Sequence, residues 1–254
     1  MKQYKEHLEA ILAKGTHKPA ARENMPGTTS LFGYQWRHDL SDGFPLLTTK
    51  KVYWKGVIIE LLWFLKGDTN VKYLNDNGVT FWNEDAYAYY LKQFKGGDLK
   101  PMSFEQFEDR IKNPKGESRV EGANYKLGDC GKQYGWLWRN SETQIQETYH
   151  ENEQYSSGEY KWKSRYKAVD QLKELINGLK SNPMGRRHII SAWNPTTLND
   201  MALNACHAFV QFNCRPIIKG THINGKYYPI GDGPDYFIDC QLYQRSADML
   251  LGVP

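Results

Sequence analysis

Strand-like stretches at His188–Trp193, Phe209–Cys214 and Phe237–Gln244 follow one another with no helical pattern between them. A doubly wound fold alternates strand and helix, because parallel neighbours need a crossover connection. That alternation is missing. The expected class is therefore α+β, a large mixed β-sheet with helices packed on one side. Helical periodicity lies elsewhere. Residues 2–14 carry Tyr4, Leu8, Ile11 and Leu12 at helical spacing and stop at Gly15. Residues 53–66 read as a buried helix and 70–76 as a short one, with others near 103–112 and over 166–180. Ser30–Leu40 alternates like a strand, and 216–235 reads as a long hairpin excursion. The polar stretch 85–165 is expected to be peripheral and to carry insertions.

Composition narrows the class of function. The 33 basic and 29 acidic residues leave a net charge of +4 over 254 residues. That balance is too mild and too interspersed to signal a nucleic-acid partner. Cys130, Cys206, Cys214 and Cys240 are widely spaced, so no CxxC pair argues for zinc or for redox chemistry. The start, Met1-Lys2-Gln3-Tyr4-Lys5, has no apolar signal region. The longest apolar run, Val57–Leu65, is too short to span a bilayer and contains Glu60. A reduced, cytoplasmic setting is expected.

Chemistry concentrates at a few positions. The apolar stretch Ala202–Phe212 reads as a strand and contains Cys206 with His207 beside it. A strand cysteine is most often a small core hydrophobe, inert unless a cation stabilises its thiolate. Arg186, Arg187 and Arg245 are the candidate cations. Neighbours on a regular strand face opposite sides, so His207 makes a poor base for Cys206. The same rule separates Arg186 from Arg187, which are not expected to serve one site of one subunit. Glu60 has Val57, Trp63 and Phe64 as helical neighbours, an apolar setting that raises a carboxyl pKa and suits a general acid or base. Gln244-Arg245-Ser246-Ala247-Asp248 closes a strand with a guanidinium and a hydroxyl, a candidate phosphate seat. The loop Arg22–Ser30 is a second candidate anion seat without a Walker pattern.

Several long segments, in order, resemble the thymidylate synthase family. They are Ser30–Gln35, Asp42–Lys51, Glu60–Asn70, Arg186–Asn194, Met201–Leu203 with Cys206–Phe209, and Cys240–Ser246. The resemblance is densest over residues 1–83 and 166–254. It implies a single catalytic domain that converts dUMP to dTMP with 5,10-methylenetetrahydrofolate and no metal. It further implies Cys206 as nucleophile, Glu60 as acid/base, and Tyr134 beside the water that takes the C5 proton. Arg22, Arg245 and Ser246 would hold the phosphate, with Gln244 and His207 also on the substrate side. Arg186 and Arg187 would reach in from the other subunit of a homodimer, which removes the strand-face objection. Trp82 and Asp248 match folate-side positions.

The chain departs from the family pattern at several points. Ala205 stands where proline usually precedes the cysteine, which loosens the backbone. Asn83 and Asp85 depart from the usual folate-side motif, and Leu137 stands where glutamine is usual. That last change resembles the pyrimidine hydroxymethylases. Segments near 86–128, 140–160 and 216–236 read as insertions. The pyrimidine-reading asparagine, a sugar-binding motif and a lid would fall beyond Pro254, so the chain is expected to be C-terminally incomplete. Two other readings accompany the first: a dUMP or dCMP hydroxymethylase, in which water replaces hydride, and a non-enzymatic nucleotide- or RNA-binding descendant.

Overall fold

The computed structural model describes residues 2–20, 26–94, 100–113, 125–150, 160–231 and 235–249, with backbone only over 143–150 and 160–166. The chain divides into two compact units, residues 1–54 with 246–254, and residues 55–245.

In the first unit, helix α1 (Lys2–Lys14) buries Tyr4, whose phenol donates to the Met249 carbonyl at 2.7 Å. His7 stacks on Tyr34 at 3.8 Å. Strand β1 (Thr16–Lys18) pairs antiparallel with β2 (Thr28–Ser30). The strand expected over Ser30–Leu40 is not formed. Ser30 pairs with Thr16, and the opposing chain before Thr16 is already the end of α1. Gly33 then takes φ +78, outside the extended region, and Phe32 lies 94% exposed with no face to bury.

The second unit begins with α2 (Trp54–Leu65, all but its first residue), α3 (Lys72–Asp76), α4 (Asn83–Gln93), α5 (Phe104–Lys112) and α6 (Tyr134–Arg139). Strands β3 (Ser141–His150) and β4 (Tyr160–Val169) form a hairpin, and α7 (Gln171–Ser181) follows. Then come β5 (Ile189–Ser191), β6 (His207–Pro216), the small hairpin β7 (Thr221–Ile223) and β8 (Lys226–Tyr228), and β9 (Tyr236–Gln244). The helices over 2–14, 53–66, 70–76 and 103–112 and the hairpin within 216–235 match the sequence reading, but α2 is not buried all round, because Trp54, Val57, Ile58, Leu61 and Leu62 are exposed. The helix expected from residue 166 begins at Gln171, because β4 runs to Val169.

All sheets among the described residues are antiparallel and none exceeds three strands, the largest having order β5–β6–β9. The α+β class is found; a large mixed sheet is not found among the described residues. Register places Ile190, Val210 and Leu242 side by side on one apolar face of that sheet. Gln171 ties α7 to β5 and α6. Its amide nitrogen donates to the carbonyls of Leu137 (2.7 Å) and Ser191 (2.9 Å), and its oxygen accepts the Ser191 N–H at 2.9 Å.

The core overturns one expectation. The polar stretch 85–165 is not peripheral throughout, because Ala86, Tyr90, Phe107, Ile111, Leu127, Cys130 and Leu137 are buried with Trp63 and Leu74 of the preceding helices. Apolar residues are sparse there, but they recur at i, i+4: Ala86 with Tyr90 on α4, Phe107 with Ile111 on α5. Such a stripe buries one face of each helix and leaves the charged majority in water. Ser103 and Gln106 complete a capping box that starts α5.

Candidate active site

Glu60 lies half-buried on α2, one turn before Trp63 and Phe64. One of its carboxylate oxygens accepts the Trp82 indole N–H at 2.5 Å. Burial raises the Glu60 pKa above the usual carboxylate range, and the Trp82 hydrogen bond opposes that shift without cancelling it. Trp82 is only 6% exposed, its ring 5.4 Å from Trp63 and 6.3 Å from Phe64. The Phe64 ring also lies 4.5 Å from that of Tyr134. One aromatic cluster therefore joins the partner of Glu60 to Tyr134.

Tyr134 opens α6, and the start of that helix is pressed against the turn that follows α2. A Cβ on Gly135 would run into the Asp68 carbonyl, and Gly67 holds φ +73 in the same turn. Arg139, at the other end of α6, donates to the Leu65 carbonyl at 2.6 Å and to both Asp170 oxygens at 3.0 Å. Asp170 in turn caps α7 through the Lys173 N–H.

Cys206 is not inside a strand. It ends an irregular run, and β6 begins at His207 with a register shift before Phe209. The alternation rule used to separate Cys206 from His207 therefore does not apply. What orients the pair is Tyr134, whose phenol oxygen accepts the N–H of Cys206 at 2.7 Å and of His207 at 3.1 Å. Burial raises the Tyr134 pKa above its ordinary value, and the nearby charges of Cys206 and Glu60 raise it further against those two bonds. Tyr134 thus remains a neutral phenol with its own proton to donate. Burial lowers the His207 pKa, so its imidazole, 5.9 Å from the Tyr134 ring, is held neutral.

Arg245 does more than the sequence suggested. Its Nε donates to the Ala205 carbonyl and its Nη2 to the Asn204 carbonyl, each at 2.9 Å, and its backbone N–H reaches the Cys206 carbonyl at 2.9 Å. A guanidinium has five donors, so three remain for an anion. Its carbon lies 5.8 Å from the Trp193 ring centre. Gln244, half-buried, pairs with His207 across β6 and β9.

Other expected residues lie elsewhere. Arg186 and Arg187 are exposed and line one cleft of about 920 Å³ along α7, with Glu174, Gly178 and His188. They precede β5, so strand alternation does not send them to opposite faces, contrary to the expectation above. Ser246 and Asp248 are exposed residues of the first unit, and Arg22 lies outside the described residues. Sequence reading gave no site role to Trp193 or Gln133 and named Phe64 only as a neighbour of Glu60. Gln133 occupies the N-cap of α6 without capping it, its amide donating to the Leu203 carbonyl instead. Among the described residues, no group of three or more His, Cys, Asp or Glu side chains converges, and no helix is long and apolar enough to cross a membrane.

Comparison with known proteins matches residues 2–254 to the family model described as thymidylate synthase. The chain is 40% identical over 254 residues to a thymidylate synthase of Mesoplasma florum, covering all of this chain and 69% of that protein. It is 37% identical over 266 residues to one of Listeria monocytogenes, covering 72% of it, and 37% identical over 254 residues to one of Mycoplasma genitalium, covering 69%. The chain belongs to the thymidylate synthase family. The family match extends across both units and includes Glu60, Tyr134, Cys206 and Arg245.

Proposed function

We propose that this protein catalyses the reductive methylation of dUMP to dTMP, with 5,10-methylenetetrahydrofolate as co-substrate and Cys206 as nucleophile. The observation that carries the reading is the double acceptance by Tyr134 of the Cys206 and His207 N–H groups, with Glu60 close enough for its charge to act on the same phenol. A nucleophile on a pinned backbone, a neutral hydroxyl and a carboxyl of raised pKa meet the needs of covalent catalysis at a pyrimidine.

The residues divide the work as follows. The Cys206 thiolate adds to C6 of the pyrimidine, and C5 gains enolate-like electron density. Glu60, whose raised pKa lets it carry a proton, supplies that proton toward the C4 oxygen as this density builds. C5 bonds to the one-carbon unit that the reduced folate supplies, and the C4 oxygen gives its proton back to Glu60. The proton on C5 then leaves to water, toward which the Tyr134 O–H donates, and the folate departs as dihydrofolate once it has given that carbon a hydride. The C6–S bond then breaks and returns the thiolate. Arg245 uses its remaining donors on the phosphate, a bidentate fit. In this reading Trp82 contributes the N–H that holds Glu60, and its folate-side role is kept as an assignment.

The rest of the sequence reading is carried forward in the same proposal. The chain acts as one catalytic domain in a cytoplasmic homodimer, with Arg186 and Arg187 offered across the interface from an exposed position beside α7. The three-stranded sheet would be part of a larger one, since β5 and β9 are both edge strands among the described residues. Arg22, Ser246, Gln244, His207 and Asp248 keep their ligand-side roles as assignments. The test follows dihydrofolate absorbance and release of hydrogen from C5 of dUMP, both of which require the folate. Cys206→Ala should abolish both. Absence of either signal from the unmodified protein overturns the proposal, as does full activity in Cys206→Ala.

A further inference from the structure

The backbone on both sides of Cys206 is held by three side chains, and only two of them were anticipated from sequence. Tyr134 takes the N–H groups of Cys206 and His207. Arg245 takes the carbonyls of Asn204 and Ala205. The third is Gln133, directly before Tyr134, whose amide nitrogen donates to the Leu203 carbonyl at 2.5 Å. From Leu203 to His207, every residue thus has at least one backbone polar group bound by Gln133, Tyr134 or Arg245.

Gln133 is an unexpected occupant of its position. It is 1% exposed, and its amide oxygen has no hydrogen-bond partner among the described residues. The unsatisfied oxygen carries a desolvation cost that the single bond to the Leu203 carbonyl must offset. Fold stability alone is therefore a poor account of it, and half-satisfied buried polar groups mark places where function opposes stability. Among the described residues, the satisfied half of this amide has one hydrogen-bond partner, the carbonyl three residues before the sulfur.

Neighbouring contacts narrow its role. The chain from Cys130 to Lys132 already runs alongside Asp200–Ala202: the Ala202 N–H reaches the Cys130 carbonyl at 2.9 Å, and the Lys132 N–H reaches the Asp200 carbonyl at 2.8 Å. Those bonds stop at Ala202. Ala205 is buried and brings no ring to restrict its backbone. The Gln133 amide extends the attachment across the interval between Ala202 and Cys206.

We propose that Gln133 is a positioning residue for the nucleophile, fixing the 203–206 segment through the Leu203 carbonyl so that the Cys206 sulfur meets pyrimidine C6. The inference rests on Cys206 being the nucleophile. It requires no contact between Gln133 and substrate. Losing the amide should therefore lower turnover and leave nucleotide binding nearly untouched.

The test is steady-state turnover of dUMP by the full chain carrying Gln133→Met, which keeps the side-chain length and removes the amide. The expected result is a kcat lower by about tenfold or more with a KM for dUMP within about threefold, because small misplacements of a reacting atom cost that much. A kcat within twofold of the parent overturns the proposal, and so does a loss confined to KM. If Gln133→Met does not fold, Gln133→Glu decides. A buried glutamic acid can donate to the Leu203 carbonyl only when protonated, so the ratio of its kcat to that of the parent should rise as pH falls. A flat ratio overturns the proposal. Cys206→Ala, measured in parallel, separates the two readings. If it is inactive while Gln133→Met is unimpaired, the positioning role alone falls. If it is active, the assignment of the nucleophile falls with it.

Discussion

Tyr134→Phe removes one oxygen and strands two backbone donors, the N–H groups of Cys206 and His207. Tyr134 itself is 5% exposed, so the ring stays packed against Phe64 and Trp138 and only the oxygen is lost. Each bond contributes about 1 kcal/mol net, and a donor left unsatisfied in a buried setting costs about 1–3 kcal/mol. Two donors at partly buried positions give an expected loss of about 2–4 kcal/mol. At about 2–4 °C per kcal/mol for a chain of this size, the Tm should fall by roughly 4–16 °C. The assay is thermal unfolding followed by near-ultraviolet circular dichroism, run beside dUMP turnover. Turnover should fall further than stability explains at a temperature where both proteins are folded, because the same oxygen orients Cys206. A Tm lowered by less than about 2 °C would show that the phenol oxygen does not hold this backbone, whatever became of activity.

Other outcomes follow from the same contacts. Trp82→Phe removes the hydrogen bond that lowers the Glu60 pKa while burial still raises it, so the limb of the pH–rate profile governed by Glu60 should move to higher pH; an unmoved limb refutes the link. The folded-state pKa of Glu60 is raised, so its contribution to stability is fully present below the ordinary carboxylate pKa and is lost as pH rises through the folded value. Glu60→Gln should therefore melt higher than the parent at neutral pH, with the difference vanishing in acid, and should be catalytically impaired. Arg245→Lys keeps the charge but cannot serve the Asn204 and Ala205 carbonyls together, so kcat should fall about tenfold or more, and added inorganic phosphate should not restore it.

Most helices were legible because their apolar residues recur at a period no loop reproduces. The error over 85–165 came from weighing average polarity above spacing. Ala86 with Tyr90 and Phe107 with Ile111 are only four residues among many charged ones, yet each pair buries a helix face. The failed strand after Ser30 depended on a partner that ran out at Thr16, which local alternation cannot reveal. Within the site, the chemical types at Cys206, Glu60 and Arg245 were readable. How they are held was not. The Tyr134 bonds cross more than seventy positions of chain, and those of Arg245 cross about forty. Gln133 escaped because a lone amide carries no pattern until its neighbour in space is known.

Gly135 admits no side chain, because the Asp68 carbonyl already fills the place a Cβ would take. The turn ending α2 and the first turn of α6 therefore interlock, and Arg139 bolts the far end of α6 to the same helix. The carboxyl of Glu60 and the hydroxyl of Tyr134 ride on these two parts. Heat, a bound nucleotide or a distant substitution should shift them together rather than change the gap between them. A saturation library at position 135 should consequently return glycine alone among active clones.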